Sequence, residues 1–251
     1  FFSIFIFSCD NSPFSYSFFK ISYIMKIAAI SDLHGNIDFN IDKSDILCIC
    51  GDILPLNIQI NSKKSKHWFE DKFIPWCNKQ DVEEVYIIGG NHDFFIFNHS
   101  KELVELLNGT KIHYLQDSQK TYTDENGKDY IIYGTPWCHQ FGRWAFMGYS
   151  DDALKEIFNK MPENVDILLT HDAPYGCSDI CQQNVVWNKR EHIGNKGLRD
   201  AVINKKPKLL LHGHLHTTNH NMEMLNETKV YNVSVLDETY NLKFKPLYLE
   251  L

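Results

Sequence analysis

Five short apolar runs of this chain each end in a loop that carries carboxylate, amide or imidazole side chains. The runs have the length and composition of β-strands buried on both faces, as in Ile-Leu-Cys-Ile-Cys before Gly51 and Leu-Leu-Leu before His212. In α/β sheets, ligands collect beyond the carboxyl ends of the strands. We therefore expect the five loops to converge on one site, which restricts the chain to folds that contain such a sheet.

The loop residues have the chemistry of metal ligands. The five pieces are Asp32-Leu33-His34, Gly51-Asp52, Gly90-Asn91-His92-Asp93, Thr170-His171 and Gly213-His214-Leu215-His216. Any one of them occurs by chance, and a single histidine after a strand is more often structural. All five in this order argue against a purely structural interpretation. Together they supply enough oxygen and nitrogen ligands for two divalent ions that share one carboxylate.

Apolar runs alternate with helical patterns from Met25 onward. Strands are predicted over residues 26–30, 45–50, 84–88, 111–115, 130–133, 165–170, 208–211, 229–233 and 243–249, and helices over 64–78, 101–107, 151–160 and 197–204. Ser150 is placed to cap the third helix, and residues 124–127 resemble a hairpin turn. Because strands outnumber helices, we expect an α/β fold of two packed mixed β-sheets with helices on the outer faces.

Composition limits the classes of partner. A net charge of −7 over 251 residues argues against a large surface for duplex nucleic acid. The seven cysteines lack the dense, even spacing of a secreted scaffold, so we expect free thiols and a cytoplasmic protein. No apolar stretch is long enough to span a membrane. The oligomeric state is left open.

The first 24 residues differ from the rest of the chain. They begin with Phe rather than Met and are rich in Phe, whereas Met25 leads directly into the first predicted strand. We expect residues 1–24 to be a non-native or disordered leader, with a membrane-leaning leader as the alternative. Residues 25–251 are expected to form a single domain.

In their order, the five pieces match the D-x-H, G-D, G-N-H-[DE], H and G-H-x-H motifs of the calcineurin-like metallophosphoesterase superfamily. The resemblance covers the chain from Met25 to its C-terminus and implies a four-layer α-β-β-α sandwich. It implies that one metal ion is held by Asp32, His34 and His216, and the other by Asn91, His171 and His214, with Asp52 bridging the two. It also implies that His92 is catalytic and that Asp93 orients it.

The implied reaction is hydrolysis of a phosphoester. Two divalent ions about 3.5–4 Å apart can clamp a phosphoryl group and generate a bridging hydroxide near neutral pH, which attacks phosphorus. A histidine beside them can protonate the leaving group. Mixed nitrogen and oxygen ligation suits Mn, Fe, Zn, Ni or Co, and the sequence does not choose among them.

Further segments resemble the metallophosphoesterase-domain branch and its bacterial relatives. They are Gly134-Thr-Pro-Trp137, Trp144-Ala-Phe146 and Thr170-His-Asp-Ala-Pro-Tyr-Gly176, with Ala173 where the branch often has proline. This resemblance implies a small phosphodiester substrate, with cyclic nucleotides among the candidates. Candidate substrate-binding residues are Tyr175, Gly176, Trp137 and Arg143. The aromatic residues Trp137, Phe141, Trp144 and Phe146 could form a stacking wall, although packing between the sheets is the simpler interpretation.

Three alternative functions remain at this point. A phosphomonoesterase or protein phosphatase would use the same motifs. A nuclease is disfavoured by the acidic charge, because contacts to a nucleic-acid backbone need basic side chains. A non-catalytic scaffold is disfavoured because every motif position is intact.

Overall fold

The computed structural model describes residues 23–181, 191–216 and 220–251. The predicted leader falls almost entirely outside the described residues, so it stays a prediction, as does the single-domain organisation. Within the described ranges, no helix is both long and apolar enough to cross a bilayer.

The described strands form two large sheets and a short hairpin. Their bounds are β1 Lys26–Ile30, β2 Ile46–Cys50, β3 Glu84–Ile88, β4 Ile112–Tyr114, β5 Ser118–Thr123, β6 Asp129–Thr135, β7 Ile167–Thr170, β8 Ile180–Cys181, β9 Glu191–His192, β10 Leu209–His212, β11 Glu223–Leu225, β12 Thr228–Asn232 and β13 Leu247–Glu250. One sheet has the order β13-β1-β2-β3-β4 and the other β11-β12-β10-β7-β6-β5. Inner strands pair in parallel, whereas β13, β11 and β5 pair antiparallel at sheet edges. Both sheets are therefore mixed.

The helices cover the outer faces of both sheets. Their bounds are α1 Ser62–Trp68, a π-helical segment Phe69–Phe73, α2 Ile74–Lys79, α3 Phe94–Asn98, α4 Ser100–Leu107, α5 Asp151–Asn159 and α6 Lys196–Lys205. The Ser150 side chain accepts the Ala153 amide at 3.2 Å, as the predicted N-cap should.

Three layers of apolar side chains hold the two sheets and the helices together. Alternation along β2 sends Cys48 and Cys50 into the core between the sheets, and Leu47 and Ile49 outward against the helices. A third cluster joins the second sheet to α5 and α6. Fully burying one such aliphatic side chain contributes about 1.5–3 kcal/mol. The structure thus confirms the α-β-β-α sandwich of two mixed sheets.

The differences from the predicted elements have local causes. The single helix predicted over 64–78 is interrupted by the π-helical segment, in which Phe69 and Phe73 are both buried. Strand β5 was not predicted because it is polar and almost fully exposed at a sheet edge. The last strand starts at Leu247 rather than 243, because the amides of Lys243 and Phe244 both bond to the Val235 carbonyl.

Candidate metal centre

The motif residues lie together in the loops that follow β1, β2, β3, β7 and β10. Four of them, Asp32, His34, Asp52 and His214, have φ between 42° and 69°. This left-handed conformation costs a non-glycine residue about 1–2 kcal/mol and clusters at functional sites. Hydrogen bonds continue the β1–β2 pairing past the strand ends, from the Asp32 amide to the Gly51 carbonyl (3.0 Å) and from the His34 amide to the Asp52 carbonyl (2.9 Å).

Two glycines allow these loops to approach one another. Gly51 has φ of 94°, and a side chain on it would collide with the Gly89 carbonyl and the His171 ring. A side chain on Gly213 would overlap Ser31 and the Asp32 carboxylate. The loop after β10 therefore packs directly on the loop after β1, and the His214 amide donates to both Asp32 carboxylate oxygens at 3.1 and 3.0 Å.

One group of ligand atoms comes from Asp32, His34 and His216, which lie within 4.8 Å of one another. His216 Nε2 is 3.3 Å from Asp32 Oδ1, and the His216 Nδ1 is 3.1 Å from the Asp237 carbonyl. Both ring nitrogens of His34 are buried without a hydrogen-bond partner. Burial lowers the pKa of His34 to about 4, so its ring is neutral at physiological pH and one ring nitrogen has a lone pair to offer.

A second group surrounds His171. Its Nδ1 lies 2.8 Å from the Cys50 carbonyl, and its Nε2 lies 2.9 Å from Asn91 Oδ1 and 3.4 Å from Asp52 Oδ2. Burial opposes protonation of His171, but the Asp52 carboxylate outweighs it and raises its pKa to about 10. The rings of His214 and His171 are 5.2 Å apart.

Asp52 stands between the two groups. Its Oδ2 is 3.5 Å from His34 Nε2 and 3.4 Å from His171 Nε2, and its Oδ1 accepts the His92 amide at 2.7 Å. Burial raises the pKa of Asp52, but His171 and His34 outweigh burial and hold that pKa well below its ordinary value. A carboxylate in this position can contribute an oxygen to both ligand groups, as expected of a bridging residue.

The donor set fits divalent metal ions. It combines imidazole nitrogens with carboxylate and amide oxygens, the mixture that first-row transition metals accept. The unpartnered, buried nitrogens of His34 are costly unless something binds them, and a metal ion would satisfy one of them.

His92 lies beside this ligand set, but its orienting partner differs from the expected one. His92 Nδ1 is 2.6 Å from Gln59 Oε1, whereas its Nε2 is 4.0 Å from Asp52 Oδ2. The Asp93 carboxylate instead accepts the amides of Ile53, Leu54 and Gly90 at 2.8–3.2 Å. The sequence prediction that Asp93 orients His92 is therefore corrected: Asp93 joins the loops after β2 and β3. Gln59 had no sequence signal, being an ordinary polar residue in a loop.

A cavity of about 510 Å³ opens above the ligand set. Its lining includes His92, His139, Phe141, Trp144 and Tyr240 besides metal-ligand candidates. The Tyr240 ring lies 5.0 and 5.1 Å from the rings of His34 and His216, and the Trp144 ring lies 4.6 Å from that of His92. The cavity is thus walled by aromatic rings close to the candidate ligands.

None of the predicted substrate-binding residues is among the described residues that line this cavity. The Trp137 indole donates to Asp117 at 2.8 Å and packs on Phe97 and Phe146, so it belongs to the interior. Tyr175 packs on His192, while Gly176 and Arg143 are exposed elsewhere. The lining of this cavity does not support these four assignments, and they stay predictions. Of the suggested aromatic wall, Phe141 and Trp144 face the cavity, whereas Phe146 is fully buried.

Comparison with protein families identifies the fold and its chemistry. The calcineurin-like phosphoesterase family matches residues 25–218, which include every motif described above. The chain belongs to this family. The membership confirms the resemblance seen in the sequence and supports hydrolysis of a phosphoric ester. Human metallophosphoesterase domain-containing protein 1 is 28% identical over 251 residues, covering 90% of this chain and 71% of the relative.

Two further matches have lower sequence identity. UDP-2,3-diacylglucosamine hydrolase of Blochmanniella floridana is 22% identical over 222 residues, covering 86% of this chain and 81% of the relative. The crystal structure of phosphopantetheinyl hydrolase from Mycobacterium tuberculosis has a TM-score of 0.54 at 13% identity, covering 86% of this chain and 90% of that one. At this identity, the structural match shows the fold alone.

Proposed function

We propose that the protein is a dinuclear metal phosphodiesterase that acts on small phosphoesters, with nucleotides among the candidate substrates. The observation that carries this proposal is the position of Asp52 Oδ2, about equally far from ring nitrogens of His34 and His171, at the base of a cavity. One carboxylate shared between two ligand groups is the arrangement needed to hold two ions close together.

The chain's residues would divide the work as follows. Asp32, His34 and His216 would hold one ion, and Asn91, His171 and His214 the other, with Asp52 shared. Two divalent ions bound there would polarise phosphoryl oxygens and lower the pKa of water. The aromatic rings of Phe141 and Trp144 line the part of the cavity that would accommodate the second ester group of a diester.

His92 is proposed as the general acid that protonates the leaving oxygen. A hydrogen bond from Nδ1–H to Gln59 Oε1 keeps the ring in one orientation, with Nε2 towards Asp52 and the ligand set. Gln59 is accordingly a positioning residue. General acid catalysis contributes about 10²–10⁴-fold, and it matters most for leaving groups that are poor without protonation.

The experiment compares a bis-aryl phosphodiester with the matching monoester on metal-reconstituted protein. We expect faster turnover of the diester, and loss of activity in Asn91→Ala. His92→Ala should lose far more activity on an alkyl ester than on a nitrophenyl ester. A protein that binds two metals and hydrolyses neither ester would contradict the proposal, and faster monoester turnover would establish a phosphomonoesterase instead.

A cytoplasmic location is proposed on the state of the thiols. Cys48, Cys50, Cys77, Cys138 and Cys177 are all buried and free, which suits a reducing compartment. The acidic net charge of −7 supports a small substrate rather than a long nucleic acid as the partner.

A further inference from the structure

A second histidine outside the ligand set, His139, lines the cavity and is held in place by hydrogen bonds to a buried carboxylate. His139 Nδ1 is 2.9 Å from Asp172 Oδ2, and the His139 backbone amide donates to the same oxygen at 3.0 Å. Asp172 is 1% exposed, and its other oxygen accepts the Ala173 amide at 2.9 Å. Because Nδ1 is committed to this carboxylate, Nε2 is the nitrogen left for a cavity ligand.

The position of His139 relates it to the candidate metal centre. The Phe141 ring lies 5.5 Å from the ring of His139 and 5.2 Å from that of His214. The Phe141 ring thus lies between His139 and the candidate metal ligand His214. The His139 side chain is 27% exposed, so a molecule bound in the cavity can reach it. Because His139 and the candidate ligands line the same cavity, an anionic ligand bound at the centre can extend past Phe141 to His139.

A protonated His139 ring, which Asp172 favours, would prefer an anion as its ligand. The hydrogen bond to Asp172 raises the pKa of His139, with weaker support from Asp151, although burial opposes it. A raised pKa extends the range over which the ring is protonated on both nitrogens. In that form Nε2–H is a charged donor, the kind that binds phosphate oxygens well.

We propose that His139, held by Asp172, is a substrate-binding residue whose Nε2–H donates to a non-bridging oxygen of the phosphoryl group. This assignment rests on the proposed phosphoesterase function. It gives the cavity an oxyanion contact in addition to those available at the metal centre.

The test uses full-length, metal-reconstituted protein with measured metal content. His139→Asn removes Nε2 but keeps an amide that can reach Asp172. We expect KM for the diester, and the dissociation constant of inorganic phosphate measured by calorimetry, to rise about 10- to 100-fold, the range for a hydrogen bond to a charged group. The turnover number should change less than KM.

The matched control is His192→Asn. His192 forms the same kind of pair, with Nδ1 2.5 Å from the buried Asp179, but its ring does not line the cavity in the described part of the chain. Its KM and phosphate affinity should stay at wild-type values.

Unchanged KM and phosphate affinity in His139→Asn, or losses fully explained by lost metal, would overturn the assignment. An equal effect in His192→Asn would also overturn it. Phosphate binding separates this assignment from the proposed function: a wild-type protein that hydrolyses neither ester, yet binds phosphate through His139, refutes only the latter.

Discussion

The two halves of the candidate metal centre are supported in different ways. In the half built on His34, neither ring nitrogen of that histidine has a hydrogen-bond partner, although Nε2 is 3.5 Å from Asp52 Oδ2. In the half built on His171, Nδ1 faces the Cys50 carbonyl, and Nε2 faces Asn91 and Asp52. One histidine is fixed mainly by packing and backbone, whereas the other is fixed by polar contacts on both sides.

This difference determines what a metal ion would gain in each half. The ring of His171 is already oriented, as in metal sites where the histidine donates its second ring N–H to a carbonyl oxygen. With acceptors on both sides, however, His171 binds a proton that a metal must displace. His34 has no such proton, so a metal would satisfy an otherwise unpaired nitrogen. On binding a metal ion, the half of His34 gains a contact, whereas the half of His171 exchanges a proton for the metal.

Asp52→Asn tests the residue that the two halves share, and it should have the largest effect. Losing the bridging charge should reduce phosphoesterase activity by more than about 100-fold, since changes to outer-sphere partners alone cost 10–100-fold. Metal content per chain, measured by mass spectrometry, should fall in both halves. A variant that keeps two metals and most of its activity would show that Asp52 does not bridge them.

His171→Ala and His34→Ala should separate the halves by stability in the absence of metal. His171→Ala removes one partner each from the Asp52 carboxylate, the Cys50 carbonyl and Asn91 Oδ1, so we expect a loss of about 2–4 kcal/mol in free energy of unfolding. His34→Ala removes two unsatisfied nitrogens at a cavity wall and should change stability by less than about 1 kcal/mol. Urea unfolding in chelator measures both, and equal losses would contradict the comparison.

The sequence predicted the ligand set but not its supports. Strand ends followed by Asp32, Asp52 or His171 were visible because apolar runs and polar loops alternate, and parallel strands end at one edge. Gln59 was not assigned, because it acts through a contact between distant loops. Asp93 was predicted to orient His92 because the two residues are adjacent in sequence. In the structure, its carboxylate accepts the amides of Ile53 and Leu54 instead.

In the fold, too, some elements were predictable from the sequence and others were not. Buried strands such as β3 were predicted at their observed bounds, since their burial pattern is visible in the sequence. Polar strand β5 and the π-helical segment depend on pairing and packing that no local pattern records. The cavity wall is another such case, because only tertiary contacts partly bury Trp137 and leave Trp144 exposed.

Metal affinity should respond to pH differently in the two halves. The pKa of His171 is raised to about 10, so a metal must displace its proton throughout the neutral range. Affinity there should rise about tenfold per pH unit between about pH 7 and about pH 9. The pKa of His34 is lowered to about 4, so its half should show no dependence on that ring above about pH 5. Calorimetry in buffers of different ionisation enthalpy counts the protons released, and metal binding in the half of His171 without proton release would contradict the assignment.

Asp93→Asn should act mainly on one half of the candidate metal centre. Its carboxylate joins the loop of Asp52 to that of Asn91 through three backbone amides, and an asparagine amide group would face one of these donors. We expect a loss of about 1–3 kcal/mol in stability and weaker metal binding in the half of Asn91 and His171 than in the half of His34.

Asp124→Asn is the matched control for this change, because Asp124 also accepts two backbone amides, in the β5–β6 hairpin turn away from the metal centre. It should lose stability while both metal affinities stay unchanged. If Asp93→Asn weakened both halves equally, the loops after β2 and β3 would support the whole centre. The difference between the half of His34 and the half of His171 would then be limited to these two histidine rings.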